Sequence, residues 1–209
     1  MSNVGHAQPV PRSRTEPLDA SERRQLCDLL AELGPDAPTL CEGWTTADLA
    51  AHLVLREHFH RWGARRLAAA KARGFPALVR RLRRGAPLFP WRLPGARTLL
   101  NGFEFFIHHE DVRRANGRPP RSVPELEALS WRMTGYLGRR LARRIRPHGL
   151  VLVAADGRRR SFGRGRAATL SGSPTELAVY LSGRRSAAQV TLSGSDEAIA
   201  AVRGTAVRL

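Results

Sequence analysis

Lysine is almost missing from this chain. Of its 35 basic residues one is a lysine, Lys71, and every other is an arginine. Cysteine is scarce as well, with only Cys27 and Cys41. Two thiols exclude a disulfide framework and a four-cysteine zinc site, and point to a reducing, cytoplasmic compartment. No apolar run is long enough to cross a bilayer, which excludes a transmembrane helix. Met1–Arg14 has no apolar stretch of the kind that marks a secretory signal and reads as a loose arm extending to residue 16.

What is present in excess is positive charge. The 35 basic residues stand against 18 acidic ones, a formal net charge of +17. A balance this basic raises nucleic acid or an anionic membrane as a partner. The excess is not evenly spread. Residues 58–103 hold eleven basic residues and no acidic one, and residues 139–166 hold ten against one. Neither block is a tail, and both run through apolar segments. No helix-turn-helix, zinc-finger or RNA-binding signature accompanies them, and the aromatics do not alternate with arginine as on a stacking platform. Nucleic acid is therefore a possible but not a favoured partner. Arginines beside Phe75–Trp91 also fit an amphipathic membrane contact.

The pattern along the chain predicts an α+β protein. Leu26, Leu29, Leu30 and Leu33 repeat at helical spacing and Gly34-Pro35 stops the helix. Thr45-Thr46-Ala47-Asp48 is a capping box that opens a second helix, expected to run from Leu49 to about Ala72. After a short helix at Ala77–Arg84 and an irregular segment, a third runs from about Arg97 to Ala115 and a fourth from Pro124 to Arg146. These make a four-helix bundle over residues 17–146. Residues 148–209 read as a small α+β domain. Its strands are Leu150–Ala155, Arg159–Gly163, Ala167–Ser171, Gln189–Leu192 and Ala206–Leu209, with helices opening at Ser173-Pro174, where Glu176 is expected to complete a capping box, and at Asp196.

The chemistry sits on two of these helices. Glu104 and His108 are four residues apart, on one face of the third helix, and can share one ion. His52 lies in the apolar stretch Leu49–Val54 of the second. One histidine from one helix and a Glu-x-x-x-His pair from another supply three ligands and leave a fourth position open, as a catalytic zinc requires. Two histidines and a carboxylate also suit iron(II). Asp111, three residues beyond His108, can orient that imidazole through its other nitrogen.

Thr39-Leu40-Cys41-Glu42-Gly43-Trp44-Thr45-Thr46-Ala47-Asp48-Leu49-Ala50-Ala51-His52-Leu53 resembles the second-helix signature of the mycothiol-dependent maleylpyruvate isomerase family, within the DinB-like metal-binding four-helix bundles. Glu104-x-x-x-His108 followed by Asp111-Val112-Arg113-Arg114 resembles that family's third-helix motif. The tail is similar to the small C-terminal domain that many members carry. The resemblance implies a DinB-like bundle and a divalent metal, zinc by preference, on His52, Glu104 and His108. It also implies mycothiol as a thiol co-substrate activated at the metal. The leading expectation is thus a thiol-dependent isomerase or S-transferase acting on a small electrophilic, anionic substrate. The competing one is a non-catalytic, metal-stabilised binding or regulatory module that meets nucleic acid or another anionic partner.

Other residues read more plainly. His58, His60 and His109 are expected at the surface or behind the ligands, and Trp44 as a staple at the start of its helix. Cys27 fills a helix face, and Cys41, with no basic neighbour in sequence, is not expected to be reactive. The two arginine blocks are expected to form a solvated face or an anion-attracting rim over the metal site.

Overall fold

The leucines spaced through the first helix build α1 (Leu18–Leu33), which buries Leu26, Leu29 and Leu30. The computed structural model describes residues 16–57, 63–85 and 97–206. In these, α1 is followed by α2 (Thr46–Glu57), α3 (Ala64–Lys71), α4 (Phe75–Arg84), α5 (Gly102–Ala115) and α6 (Pro124–Arg144). Then come β1 (Gly149–Ala154), β2 (Arg159–Phe162), β3 (Ala167–Gly172), α7 (Pro174–Leu181), β4 (Thr191–Ser193) and α8 (Asp196–Gly204). A π-helical turn, Arg97–Asn101, leads into α5. The sheet order is β2-β1-β3-β4, with β1 parallel to β3 and both outer pairings antiparallel. The class is mixed α+β, as the sequence pattern predicts.

The apolar side chains divide into two clusters that meet at α5. One joins α1, α2 and α4 to Phe105 and Val112 of α5. The other joins Phe103, Phe106 and Ile107 of α5 to α6, the inner face of the sheet, α7 and α8. Every residue from Phe105 to Val112 is buried. A helix enclosed on all sides carries its polar groups inward with it. The polar residues of α5 are therefore paired inside the protein rather than solvated, since burial without partners is costly.

Glu22 of α1 and Glu110 of α5 are such groups, 2% and 1% exposed. Arg121 donates from Nη1 and Nη2 to Glu22, each at 2.8 Å, and from Nε to Glu110 at 2.9 Å. Arg114 donates to Glu110 at 2.8 Å, then crosses to Glu176 of α7 at 2.6 and 3.0 Å and to the carbonyl of Ala187 at 2.6 Å. One guanidinium thus ties α5 to the C-terminal segment. Glu127 of α6 accepts from the Thr175 hydroxyl at 2.9 Å beside it.

Several expectations are corrected. The second helix does not run unbroken to Ala72, because Gly63 is extended at φ 171° and ψ 150° and α3 starts afresh after it. An unbroken helix of that length would be about 36 Å long and would leave its second half unpacked. The break lets Leu67 and Ala70 pack onto the first cluster. His109 is not at the surface or behind the ligands. It is 3% exposed, with Nδ1 3.4 Å from Glu22, because α1 packs across that face of α5. Ser173 caps α7 by accepting from the Glu176 amide at 3.3 Å, but the Glu176 carboxylate goes to Arg114 instead of closing a capping box. The fourth strand is Thr191–Ser193 rather than Gln189–Leu192. The N-terminal arm, His58, His60, most of the irregular segment up to Trp91 and all but the first residue of the expected last strand lie outside the described residues.

The buried arginine network has a measurable consequence. Replacing Arg121 with alanine leaves two buried carboxylates short of partners and should lower the unfolding free energy by about 3–5 kcal/mol in urea titrations. Burial pushes the Glu22 carboxyl up, but hydrogen bonds from His109 and Arg121 more than offset this and hold it below its ordinary value. Its contribution is present above the unfolded-state carboxylate pKa and is lost as pH falls through the folded one. Arg121→Ala should accordingly flatten the acid limb of the stability profile.

Candidate metal centre

His52 reaches its position because α2 starts at a fixed point. Asp48 accepts from the Thr45 amide at 3.1 Å and from the Thr45 hydroxyl at 3.0 Å. Lys71, the one lysine, closes on the same carboxylate at 2.7 Å. The Thr46 hydroxyl donates to the Gly34 carbonyl at 2.5 Å and ties the helix start to the end of α1. One turn on from Asp48, His52 is buried against α5.

There it meets Glu104 and His108. The Glu104 Oε1 atom lies 3.4 Å from His52 Nε2 and 3.3 Å from His108 Nε2. The two imidazole rings stand edge to face with centroids 5.2 Å apart. The three donor atoms all fall within 4.8 Å of one another. A tetrahedral ion with bonds of 2.0–2.1 Å has ligand–ligand edges of about 3.3–3.4 Å, so the donor set fits a zinc-sized cation. Glu104 is the most open of the three, its side chain 25% exposed toward the cleft.

The three residues sit in different electrostatic surroundings. Burial pushes the Glu104 carboxyl up, but hydrogen bonds from His108 and His52, with the Arg56 charge beside it, hold it well below the usual carboxylate range. Burial draws His52 below its ordinary value, against the pull of Glu104. Burial acts the same way on His108, yet hydrogen bonds to Asp111, Cys41 and Glu104 reverse it and hold that imidazole well above its ordinary value. Arg56, one turn beyond His52, places Nε 3.2 Å from Glu104 Oε1 and donates to Asn101 at 2.8 Å.

A second group of residues stands behind the first. His108 Nδ1 lies 2.9 Å from Asp111 Oδ2, which orients the ring with Nε2 toward Glu104 and His52. Asp111 is fully buried. It accepts two parallel bonds from Arg184, Nε to Oδ1 at 2.8 Å and Nη2 to Oδ2 at 2.7 Å. The Cys41 thiol donates to Oδ2 at 3.3 Å and lies 3.9 Å from His108 Nδ1 and 3.6 Å from Arg184 Nη2. The connector that carries Cys41 is pinned at both ends of that turn. The Leu40 amide donates to the Asp111 carbonyl at 3.2 Å, and Thr39 Oγ1 accepts from the Cys41 amide at 3.2 Å. Arg184 follows α7 through Gly183, whose φ of 96° turns the chain back toward α5.

All of this opens on one cleft of about 620 Å³. Trp44 walls it, 5.1 Å from the His52 ring, while also packing on the first apolar cluster. Arg56 and Arg184 line it. Neither belongs to the two arginine blocks, and among the described residues no arginine of 58–103 or 139–166 lines the cleft, so the expected rim is not seen among them. Described arginines of these blocks are found on other faces. Arg158 and Arg160, for example, flank the Trp131 ring at 5.0 and 4.7 Å.

Sequence reasoning gathered His52, Glu104, His108 and Asp111, and missed Arg56, Cys41 and Arg184. Arg56 was open to the same spacing argument, being four residues after His52. Cys41 and Arg184 were not, because their charged neighbours come from 70 and 73 residues away. The two thiols should now differ sharply. Cys27 is fully buried and burial pushes its thiol up to about 12, whereas Cys41 lines the cleft. An aromatic disulfide reagent should label one thiol per native molecule, and none in Cys41→Ser until the protein is unfolded.

Residues 20–156 match the family model described as the mycothiol maleylpyruvate isomerase N-terminal domain. Among solved structures, the chain is similar to the mycothiol-dependent maleylpyruvate isomerase, at 19% identity and a TM-score of 0.60 over 84% of this chain and 89% of that one. A histidine-to-alanine mutant of that enzyme matches over the same shares at a TM-score of 0.57. No curated protein matches the sequence. Two thirds of the chain thus fit one family model, and the protein belongs to the mycothiol maleylpyruvate isomerase N-terminal domain family.

Proposed function

We propose that this protein is a metal-dependent enzyme that directs a low-molecular-weight thiol, of the mycothiol type, onto a small anionic electrophile. The observation that carries this reading is the convergence of His52, Glu104 and His108 on the wall of a cleft that also presents two arginines. In this reading the three residues hold one divalent metal. The family favours zinc, while the ligand set alone would also suit iron(II). Residues 17–146 form the metal-binding bundle, and residues 148–209 form a small domain that delivers Arg184 to it.

A metal held there would supply a Lewis acid that keeps a thiol sulfur deprotonated at neutral pH. The rest of the work belongs to the chain. Asp111 engages His108 Nδ1 and leaves Nε2 turned toward Glu104, as the nitrogen that would hold the metal. Arg184, locked by Asp111, and Arg56, locked by Asn101 and Glu104, attract a substrate carboxylate and orient it. The Ser182 hydroxyl, buried on the same wall with no hydrogen-bond partner among the described residues, donates to a polar group that enters. Trp44 and Ile107 keep water from one side. With an isomerase substrate, the thiol sulfur adds to a cis carbon–carbon double bond, the resulting single bond rotates, and elimination of the same sulfur leaves the trans isomer. The thiol is then regenerated. With a transferase substrate the carbon–sulfur bond persists and the thiol is consumed.

Metal analysis tests the first claim. The purified protein should carry about one divalent ion per chain, and His52→Ala or His108→Ala should each lose it. Stoichiometric metal in both variants would overturn the site. Asp111→Asn, which keeps the shape but not the charge behind His108, should weaken metal affinity roughly 10- to 100-fold in competition with a chelator.

Turnover tests the second claim. Metal-loaded protein with a mycothiol-type thiol should isomerise maleylpyruvate or consume the thiol with an electrophile, and chelation should abolish either. No turnover across a panel of anionic electrophiles would overturn the catalytic reading and leave metal binding alone.

A further inference from the structure

The arginines of the first basic block gather somewhere other than the metal centre. Arg66 and Arg73 from α3 and its end, with Arg81 and Arg84 from α4, surround a separate pocket of about 350 Å³. Its floor is apolar, built from Val54 of α2, Ala70 of α3 and Leu78 of α4. Val54 and His52 are two residues apart, so this pocket and the metal cleft lie on different faces of α2.

Two observations single it out. Among the described residues no acidic one lines the pocket, and residues 63–85, which form most of it, contain none. Elsewhere on the same helices positive charge is matched: Lys71 pairs with Asp48 and Arg83 with Asp28, each at 2.7 Å. Arg73, Arg81 and Arg84 form no ion pair among the described residues, and Arg81 Nε is buried without a hydrogen-bond partner among them. Like charges brought together over apolar surface repel one another, and the arrangement is relieved by an anion.

We infer that this pocket binds a free amphipathic anion: a carboxylate or phosphate head held by the arginine rim, with a short unbranched apolar tail on the alanine, valine and leucine floor. Guanidinium groups take such heads in paired hydrogen bonds, and the volume suits one medium-length chain. The inference does not depend on the metal centre.

Calorimetric titration of the metal-loaded protein with decanoate, kept below its aggregation concentration, tests it. Saturable binding of one decanoate per chain is expected, with decanol at least tenfold weaker. Arg73→Ala/Arg84→Ala should weaken decanoate at least tenfold. Ala69→Trp, which fills the pocket from an exposed position, should abolish binding without changing the far-ultraviolet circular dichroism. His52→Ala should leave it unchanged, which separates this site from the metal centre. Arg132→Ala/Arg139→Ala, at exposed positions on α6, controls for bulk charge. Absence of saturable binding, equal affinity for decanol, or equal weakening by the α6 pair would overturn the inference. So would capture by anionic phosphatidylglycerol vesicles with no binding of monomeric decanoate.

Discussion

The carboxylate of Asp111 is the point on which the site turns. It is fully buried, and it takes bonds from three parts of the chain: His108 on its own helix, Cys41 on the connector before α2, and Arg184 after α7. An isolated carboxylate in that position would be very costly, and the paired guanidinium and imidazole are what make it tolerable. Burial raises its pKa, and the bonds from His108 and Arg184 reverse this and hold it well below the usual range. One charge therefore orients a ligand, holds an arginine at the cleft and anchors a thiol beside both.

Such a hub is possible because α5 is enclosed. A surface helix would leave Glu104, Glu110 and Asp111 to water and would dictate little about their partners. Here the two apolar clusters close over α5 from opposite sides, and each acidic group on it acquires a fixed cationic or imidazole partner. The same burial explains why Arg114 and Arg121 carry so much of the tertiary organisation. They satisfy Glu22, Glu110 and Glu176, and in doing so set α1, α5 and α7 relative to one another. Removing one member of such a network exposes its partners to an apolar medium, which is a larger effect than losing a surface ion pair.

The strong positive charge has several uses rather than one. A few arginines are structural and deeply paired. Two face the metal cleft. Others cover aromatic rings, as Arg158 and Arg160 do on Trp131. A further group surrounds an apolar pocket whose described lining holds no acid. Net charge describes the long-range field of the molecule, but the field at any one surface depends on which arginines lack an acidic neighbour.

Periodicity and caps alone determined α1, the start of α2, α5 and α6, the α+β class, and the pairing of Glu104 with His108, because these depend on residues within a turn or two of one another. The match of His52 to that pair was legible from its apolar setting and from a family resemblance. The break at Gly63 was not, since it depends on where Leu67 and Ala70 find apolar cover. The burial of His109, the diversion of Glu176 to Arg114, and the gathering of Cys41, Arg56 and Arg184 around the cleft were decided only by the packing of distant segments. Cys41 had no basic neighbour in sequence and gained one from 143 residues away. Partners of a buried charge are selected by distance in space, and in this fold several of them come from widely separated parts of the chain.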